Sequence, residues 1–357
     1  MAKEKNHAIE IYRYLFAIFV CTLHFKEYYG NPYPWGGAYL SVEFFLILAG
    51  FFEMRHIYSH CRENGAPEEG IKDYVVGRIK RLFPQYIVAL LLYYIYRIFV
   101  TNSITVKQAL VDFLPEWGMI QILGFGKYLN SAMWYVSAMM FASIVIYFFA
   151  VKNRRRFIWF FAPAGVLLIY SWLYQTNHGF GGVGLKNRTL IICDGFWRAL
   201  GGMLLGCIIY AIYDHLKKTG IQNRISVPVR VIMTICEVGI LALITVMFYG
   251  PGNTVKDFTL IAMMGVLVIS TMLEVSYLSR ALNHIPVTGK YTYALYCHHW
   301  LFQNLIKEYF PGYPFYPALI VFLIVSFGVS VLSTILINKA GSLFRYIRER
   351  TAQKKEA

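Results

Sequence analysis

Ten apolar stretches, each long enough to cross a lipid bilayer as a helix, divide this chain from one end to the other. A helix needs about 20 predominantly apolar residues to span the hydrocarbon core, and it satisfies its own backbone hydrogen bonds there. Charged residues make up 15% of the chain, whereas soluble domains carry about 25%. We therefore predict an all-α, polytopic membrane protein with about ten transmembrane helices. The predicted spans cover residues 8–25, 38–56, 83–101, 131–151, 157–175, 190–214, 229–250, 257–276, 291–307 and 316–338.

The basic residues are distributed unevenly between the two sides of the predicted bundle. With a cytoplasmic N-terminus, 24 of the 34 Lys and Arg residues lie in cytoplasmic segments or at the cytoplasmic ends of spans, eight lie on the outer side or at outer span ends, and two, Arg13 and Arg198, lie deeper within spans. Cytoplasmic loops carry such an excess, so we expect both termini to be cytoplasmic. Because no basic face is interleaved with aromatic residues, the net charge of +15 does not predict nucleic-acid binding. Residues 1–340 are predicted to form the transmembrane domain and residues 341–357 a basic cytoplasmic tail.

Two polar residues interrupt the first apolar stretch. His24 follows Arg13 by eleven residues, so both side chains project from one helix face, about 16 Å apart along the axis. A cation at the bilayer centre costs about 2.5–3.5 kcal/mol and normally faces the bundle interior. We therefore predict that the helices surround a polar central cavity lined by Arg13 and His24. The alternative is an Arg that reaches the interface and an unrelated His near the opposite headgroups.

Further charged and aromatic side chains fall within the predicted spans. Glu43 lies near the outer end of the second span, where it is either structural or able to orient the His24 imidazole. Arg198 follows Asp194 by four residues in the sixth span, which permits an ion pair on one helix face. Trp134 is typical of a membrane interface or a cavity wall and is a candidate substrate contact.

Arg78 and Arg81 lie three residues apart, just before the third span on its cytoplasmic side. At this spacing the two guanidinium groups share a helix face, and each presents a bidentate fork that suits phosphate groups. They are therefore candidate contacts for a phosphate-bearing ligand. The ordinary enrichment of Arg in cytoplasmic loops is the alternative interpretation.

The ninth predicted span carries a stripe of polar side chains. Thr292, Tyr296 and His299 recur at spacings of four and three residues, so they share one helix face. This pattern favours His299 as the histidine that faces the cavity, with the two hydroxyls as candidate substrate contacts. His298 points about 100° away. A satisfied core histidine is the structural alternative for His299, and the division of roles between the two histidines stays open.

The loops and cysteines predict little chemistry. Residues 102–130 are expected to form an interfacial or re-entrant helix at the outer side, and the glycine-rich residues 176–189 are expected to form a flexible loop. The six cysteines include no CxxC pair and no metal-ligand spacing, so neither a disulfide framework nor a metal site is predicted.

Six segments, in order along nearly the whole chain, resemble the integral-membrane acyltransferase 3 family, the bacterial transmembrane O-acyltransferases. The family motifs are Arg-x10-His, Val-(Asp/Glu)-x-Phe-Phe-x-x-Ser-Gly-Phe, Arg-x-x-Arg-(Ile/Leu)-x-Pro, Trp-(Tyr/Phe)-Leu-Ser, Phe-x-x-Gly-x-x-x-Gly and Gly-(Arg/Lys)-x-Ser-Tyr-x-x-Tyr-x-x-His. The matching segments run from Arg13 to His24 and then read VEFFLILAGFF, RIKRLFPQY, MWYVSAMMF, FWRALGGMLLG and GKYTYALYCHHW. Departures from the family pattern include Ala49 (usually Ser), Thr292 (Ser), Cys297 (Leu) and His298 (Trp).

The resemblance implies a donor and an acceptor. The donor is an acyl-CoA, usually acetyl-CoA, which approaches from the cytoplasm as a substrate, with no permanently bound cofactor. The acceptor is a hydroxyl of a cell-envelope glycan or of a lipid-linked sugar precursor, and the enzyme is a multi-pass protein of the inner (cytoplasmic) membrane. Arg13 and His24 are then essential, and Arg78 and Arg81 lie near the donor. The acceptor, the acyl group and the oligomeric state, a homo-oligomer included, stay open.

Two chemical routes fit these expectations. Neutral His24 removes the acceptor's proton while the oxygen attacks the thioester carbonyl, and a donor such as His299 steadies the oxyanion. Alternatively, His24 carries the acyl group as a covalent intermediate. Arg13 is expected to hold the pantetheine or phosphate portion of the donor. The rival function is a multispan transporter or flippase, in which the same residues line a substrate path; the sequence shows no inverted repeat of the kind common in transporters.

Overall fold

The chain is almost entirely helical in the computed structural model, which describes residues 5–29, 35–60, 69–189, 191–252 and 255–356. The α-helices are α1 His7–Tyr29, α2 Ser41–His60, α3 Ile71–Ile95, α4 Val106–Val111, α5 Leu114–Trp117, α6 Trp134–Lys152, α7 Arg154–Arg156, α8 Ala162–Asn177, α9 Asp194–Lys218, α10 Ile221–Arg224, α11 Val227–Tyr249, α12 Lys256–Leu273, α13 Tyr277–Asn283, α14 Lys290–Tyr309 and α15 Phe315–Glu356. Two π-helical segments, Tyr96–Val100 and Phe157–Phe161, extend α3 and join α7 to α8, and 3-10 helices cover Gly36–Leu40, Gln121–Leu123 and Ser131–Met133. Two short strands, β1 Arg188–Thr189 and β2 Ile192–Cys193, pair antiparallel. Leu190, the first residue of the predicted sixth span, lies outside the described residues.

Within these described ranges, nine helical segments are long and apolar enough to cross a membrane. The remaining predicted span, residues 291–307, corresponds to α14, a 20-residue helix. α14 is not among the nine because it carries buried polar residues such as His298, His299 and Gln303. The prediction of an all-α, polytopic membrane protein is confirmed.

Two predicted boundaries differ from the observed ones. α3 begins at Ile71, well before residue 83, and continues through Pro84. The predicted span starts at residue 83 because the residues before it are rich in charge, and the helix includes this charged stretch. At the other end of the chain, α15 continues to Glu356, so the predicted tail of residues 341–357 extends the last helix.

α9 lies at the centre of the bundle, in contact with α2, α6, α8 and α12. Its closest approach is to α2, through glycines. A Cβ on Gly50 would lie 1.9 Å from the carbonyl oxygen of Met203, and one on Gly206 would lie 2.1 Å from that of Ile47. Small residues let transmembrane helices approach this closely and gain packing energy that lipid does not otherwise provide. The two helices therefore touch backbone to backbone.

The Gly50→Ala variant should lose about 1–3 kcal/mol of unfolding free energy, because the new methyl group would overlap a backbone carbonyl that cannot rotate away. Gly77→Ala is the matched control, since no atom lies within 4 Å of a Cβ at that exposed helical position. Thermal unfolding in detergent micelles measures both. Equal unfolding temperatures for the two variants would contradict the tight α2–α9 contact.

α14 packs beside α1, α3 and α15 and runs in the same direction as α1. Just before α14 begins, the Tyr14 hydroxyl of α1 donates to the carbonyl oxygen of Thr288 at 2.7 Å. About three turns further along both helices, the ring of His299 stacks on the ring of His24.

The helices α11 and α15 differ from α14, because only 17% of the α11 span and 22% of the α15 span are buried. The polar face of α1 is therefore turned toward α14, while α11 and α15 present apolar surface outward.

The segment between α3 and α6 folds over the end of the bundle. Glu116 in α5 is fully buried, and its carboxylate accepts hydrogen bonds from the Tyr94 hydroxyl at 2.9 Å and from the amides of Leu129 and Asn130 at 3.0 and 2.9 Å. Burial raises the pKa of Glu116 to about 7, because lost hydration outweighs these hydrogen bonds. The interfacial helix expected in residues 102–130 is thus two short helices anchored by Glu116.

Residues 176–189 are held against the bundle rather than forming the flexible loop expected from their glycines. Phe180 and Val183 are buried. Their carbonyl oxygens accept hydrogen bonds from Arg198 at 3.0 and 3.3 Å. Arg198, on the helix α9 that follows, holds this segment in place through these two hydrogen bonds. The glycine content of the segment could not predict this contact.

Candidate active site

His24 on α1 meets His299 on α14 inside the bundle. The two imidazole rings stack with their centroids 5.3 Å apart and their planes inclined by 27°. The Trp300 ring stands edge-on to His24 at 5.4 Å. His299 is fully buried, whereas the His24 side chain keeps 19% of its surface exposed. The structure therefore brings together two histidines from opposite ends of the sequence, and His24 is the accessible one.

Hydrogen bonds fix the tautomer of His299. Its Nδ1 lies 2.5 Å from the carbonyl oxygen of Tyr296, so Nδ1 carries the proton and Nε2 keeps a lone pair. That Nε2 is buried and has no hydrogen-bond partner in the described part of the chain. His298 differs, because its Nε2 lies 2.9 Å from the Gln85 amide nitrogen and 3.0 Å from the Ser333 hydroxyl. His298 thus ties α14 to α3 and α15 through its Nε2, while its Nδ1, like His299 Nε2, is buried without a hydrogen-bond partner among the described residues.

The carboxylate beside His24 belongs to Glu27, not to Glu43. Glu27 Oε2 lies 3.4 Å from His24 Nδ1, and the Glu27 side chain is 60% exposed. Glu43 is fully buried, and its two carboxylate oxygens accept hydrogen bonds from Arg198 Nε at 2.7 Å and from the Tyr170 hydroxyl at 2.5 Å. Glu43 therefore does not orient His24 in this structure, since Arg198 and Tyr170 occupy its two carboxylate oxygens.

Arg198 joins α9 to α2 through this ion pair with Glu43. Its guanidinium also donates to the carbonyl oxygen of Tyr39 at 3.0 Å. Asp194, the expected partner of Arg198, instead accepts a hydrogen bond from the Thr189 hydroxyl at 2.9 Å. The expected pairing of Asp194 with Arg198 is wrong, because helix spacing permits a contact but a cation from α9 gains more from the buried carboxylate on α2.

Arg13 lies at the other end of the polar face of α1. Its Nη1 donates to Glu10 Oε2 at 2.9 Å, and its side chain stays 26% exposed. Gly289, the residue before α14, packs against this pair: a Cβ there would come within 1.4 Å of Glu10 Oε2 and 2.8 Å of Arg13 Nη1. The guanidinium is therefore held where α14 begins, about 16 Å along the helix axis from His24.

Arg78 and Arg81 are not equivalent. Arg78 forms an ion pair with buried Glu53, which also accepts a hydrogen bond from the Tyr74 hydroxyl at 2.6 Å. Arg81 is exposed and lies within electrostatic range of both Arg78 and Arg13. Of the two arginines expected to contact phosphate groups, Arg81 is the one available to a ligand, and Arg78 is committed to the fold.

The hydroxyls of the predicted polar stripe contact backbone carbonyls. Thr292 donates to the carbonyl oxygen three residues earlier at 2.7 Å, and Tyr296 donates to that of Ala132. The Trp134 ring lies beneath the Arg198 guanidinium, 5.9 Å from its centroid. These contacts give the three side chains structural roles in this structure, and their roles as substrate contacts stay a prediction.

Sequence reasoning missed four polar residues of this region. Glu10 precedes Arg13 by three residues and Glu27 follows His24 by three, so helix spacing could have predicted both pairs. Gln303 follows His299 by four residues and would have been found by extending the polar stripe one turn. Glu53 gave no such signal, because its contact with α3 is set by tertiary packing.

A protein-family model described as an acyltransferase domain, of the acyltransferase 3 type, matches residues 6–338. No curated protein and no solved structure matches the chain. The matched region runs from the start of the first helix into the last, and it includes every residue of the site described above.

Proposed function

This chain belongs to the acyltransferase 3 family, and we propose that it transfers an acyl group, most simply acetyl, from acyl-CoA to a hydroxyl of a cell-envelope glycan or lipid-linked sugar precursor. A membrane acyltransferase follows from the family and from the nine apolar spans in the described chain. The donor, the acceptor and the placement in the inner (cytoplasmic) membrane are the proposed part.

The stacked pair of His24 and His299 carries the proposal. An imidazole in a low-polarity interior is normally satisfied by hydrogen bonds. Here His299 Nε2 is buried without a hydrogen-bond partner among the described residues, and His24 Nδ1 faces the Glu27 carboxylate 3.4 Å away. A partly exposed imidazole beside a carboxylate is suited to accept a proton from a bound hydroxyl.

The proposed transfer needs one base, because a thioester is already activated. The acceptor O–H gives its proton to His24 while its oxygen forms a bond to the thioester carbonyl carbon. The resulting oxyanion collapses, the C–S bond breaks, and the CoA thiolate takes the proton back from His24. Glu27, 3.4 Å from His24, favours the protonated ring during this step.

In this scheme His299 does not stabilise the oxyanion as a hydrogen-bond donor, which is the role expected from the sequence. With its proton on Nδ1 and bound to Tyr296, its Nε2 is an acceptor and cannot donate to the oxyanion. Its ring face instead lies against His24, where it stabilises a positively charged imidazolium as aromatic faces do. His299 is thus proposed to support the charge on His24.

The donor is proposed to approach from the end of the bundle at which α14 begins. Arg13 and Arg81 lie there within electrostatic range of each other, and guanidinium groups bind phosphate through paired hydrogen bonds. The pantetheine arm would then extend along the polar face of α1 toward His24. In this proposal the nucleotide of the donor binds on the cytoplasmic side, and the thioester lies inside the membrane.

The two cytoplasmic arginines should respond differently to substitution. Arg81→Ala is expected to raise the KM for acetyl-CoA about tenfold with little change in unfolding temperature, because an exposed phosphate contact is lost. Arg78→Ala should lower the unfolding temperature, because it leaves the Glu53 carboxylate buried and unpaired. Initial rates and thermal unfolding of the same preparations separate the effects. An unchanged KM in Arg81→Ala would remove Arg81 from the donor site.

The function is tested with purified protein in lipid vesicles that receive radiolabelled acetyl-CoA and envelope glycans or lipid-linked sugars. Label should appear in the acceptor as an ester that mild alkali releases, and it should be absent from vesicles without protein. Arg13→Gln, which keeps a hydrogen-bonding side chain without the charge, should reduce the labelling. An acceptor that crosses the membrane without being modified would instead establish a transporter.

A further inference from the structure

Gln303 is a buried amide one helical turn beyond His299. Both residues lie on α14, four positions apart, so their side chains project from the same helix face about 6 Å apart along the axis. Gln303 is 1% exposed. The direction along α14 leads away from Gly289 and Arg13, so Gln303 lies on the far side of the histidine pair from the proposed donor contacts.

The side-chain amide of Gln303 is unsatisfied. Neither its nitrogen nor its oxygen has a hydrogen-bond partner in the described residues. The neighbouring buried amide, Asn304, donates to the carbonyl oxygen of Trp300 at 2.6 Å. Folded proteins rarely leave a buried donor and acceptor unpaired, and such a group is satisfied by water, an ion or a bound ligand.

We infer that Gln303 binds the acceptor, and that the acceptor is a neutral sugar held through two adjacent hydroxyl groups. This inference rests on the proposed acyl transfer and adds the class of the acceptor and a residue that recognises it. A primary amide presents one acceptor oxygen and two N–H donors side by side. It therefore pairs with two neighbouring hydroxyls, one as donor and one as acceptor, and leaves a third hydroxyl directed at His24.

Two neighbouring side chains favour a neutral sugar over an acidic one. The Glu27 carboxylate lies 3.4 Å from His24 Nδ1 and would repel a second negative charge placed directly beside it, although Lys26 and Lys186 also lie within electrostatic range of Glu27. Trp300 lies three residues before Gln303, and its indole ring is nearly perpendicular to the His24 ring, with the two ring centroids 5.4 Å apart. An aromatic ring provides an apolar surface for the C–H face of a sugar. Gln303 and Trp300 are specificity-determining residues in this arrangement, and His24 is the catalytic one.

The experiment compares acceptors in vesicles supplied with radiolabelled acetyl-CoA. The probes are the methyl glycosides of glucose, galactose and mannose, which carry adjacent hydroxyls, and 1-propanol, which carries one. Wild type should acetylate at least one glycoside with at least about tenfold preference over 1-propanol. Gln303→Met, which keeps the side-chain length without the amide, should lose that preference through an increase of about tenfold or more in the acceptor KM. The KM for acetyl-CoA should stay within about twofold.

Asn304→Leu is the matched control, because it removes a buried amide from the next position of the same helix and should keep the glycoside preference. The inference is overturned if Gln303→Met retains the wild-type acceptor KM, or if wild type acetylates 1-propanol as well as it does the glycosides. If wild type acetylates envelope glycans or lipid-linked sugars but none of the three glycosides, this inference is overturned; if it acetylates none of these acceptors, the proposed acyl transfer itself is wrong.

Discussion

The His24→Ala variant is expected to lose acyl transfer by a factor of about 10³ or more while remaining folded. A positioned general base contributes about 10²–10⁴ in rate, and a covalent acyl carrier at the same position would make the loss complete. Stability should change little, because the His24 side chain is 19% exposed and its Nδ1 makes no hydrogen bond to the described residues.

The control for this variant is a substitution of His298, the histidine of α14 that does not face His24. His298→Gln keeps a hydrogen-bonding group toward Gln85 and Ser333, and its transfer rate per folded molecule should stay within about tenfold of wild type. The rates are measured at saturating acetyl-CoA and normalised to folded protein. Wild-type activity in His24→Ala would remove His24 from the reaction.

The Arg198→Met variant is expected to lose about 3–5 kcal/mol of unfolding free energy, which is the effect of removing one member of a buried ion pair. The Glu43 carboxylate would remain fully buried with the Tyr170 hydroxyl as its remaining partner. The carbonyl oxygens of Phe180 and Val183 would lose their donor as well. Thermal or denaturant unfolding in micelles measures the loss, and transfer activity should fall with the folded fraction.

A double variant separates the ion pair from simple packing. Glu43→Leu combined with Arg198→Met removes both charges, and it should be clearly more stable than Arg198→Met alone, because apolar residues can replace a buried pair at little cost. The interaction energy of the double-mutant cycle reports the coupling. Strictly additive effects of the two substitutions would contradict a direct Glu43–Arg198 pair.

The sequence predicts the helices of this protein well because each span is a local property. The run of apolar residues in α11 or α15 is visible without knowing its neighbours. α14 was predicted as the ninth span even though it is too polar to qualify by hydropathy. The start of α3 was not predicted, because the predicted third span follows the apolar run from residue 83, whereas α3 begins at Ile71 and continues through Pro84.

The site was predicted only in part, because spacing in the sequence reports which residues share a helix face but not which helices contact one another. Spacing along one helix placed Arg13 and His24 on one face and favoured His299 over His298, and the structure brings His24 and His299 together. Spacing could not predict which carboxylate pairs with which cation between helices. The sequence left open whether Glu43 is structural or orients His24, and in the structure Glu43 pairs with Arg198.

The most direct test of the central claim is photoaffinity labelling with an acyl-CoA analogue that carries a diazirine at the end of its acyl chain. After irradiation in membranes and proteolysis, the predicted result is labelling of peptides that contain residues 20–27 and 296–303, suppressed by excess unlabelled acetyl-CoA. Labelling confined to residues 71–81 or to the outward-facing α11, with none near His24, would contradict the account.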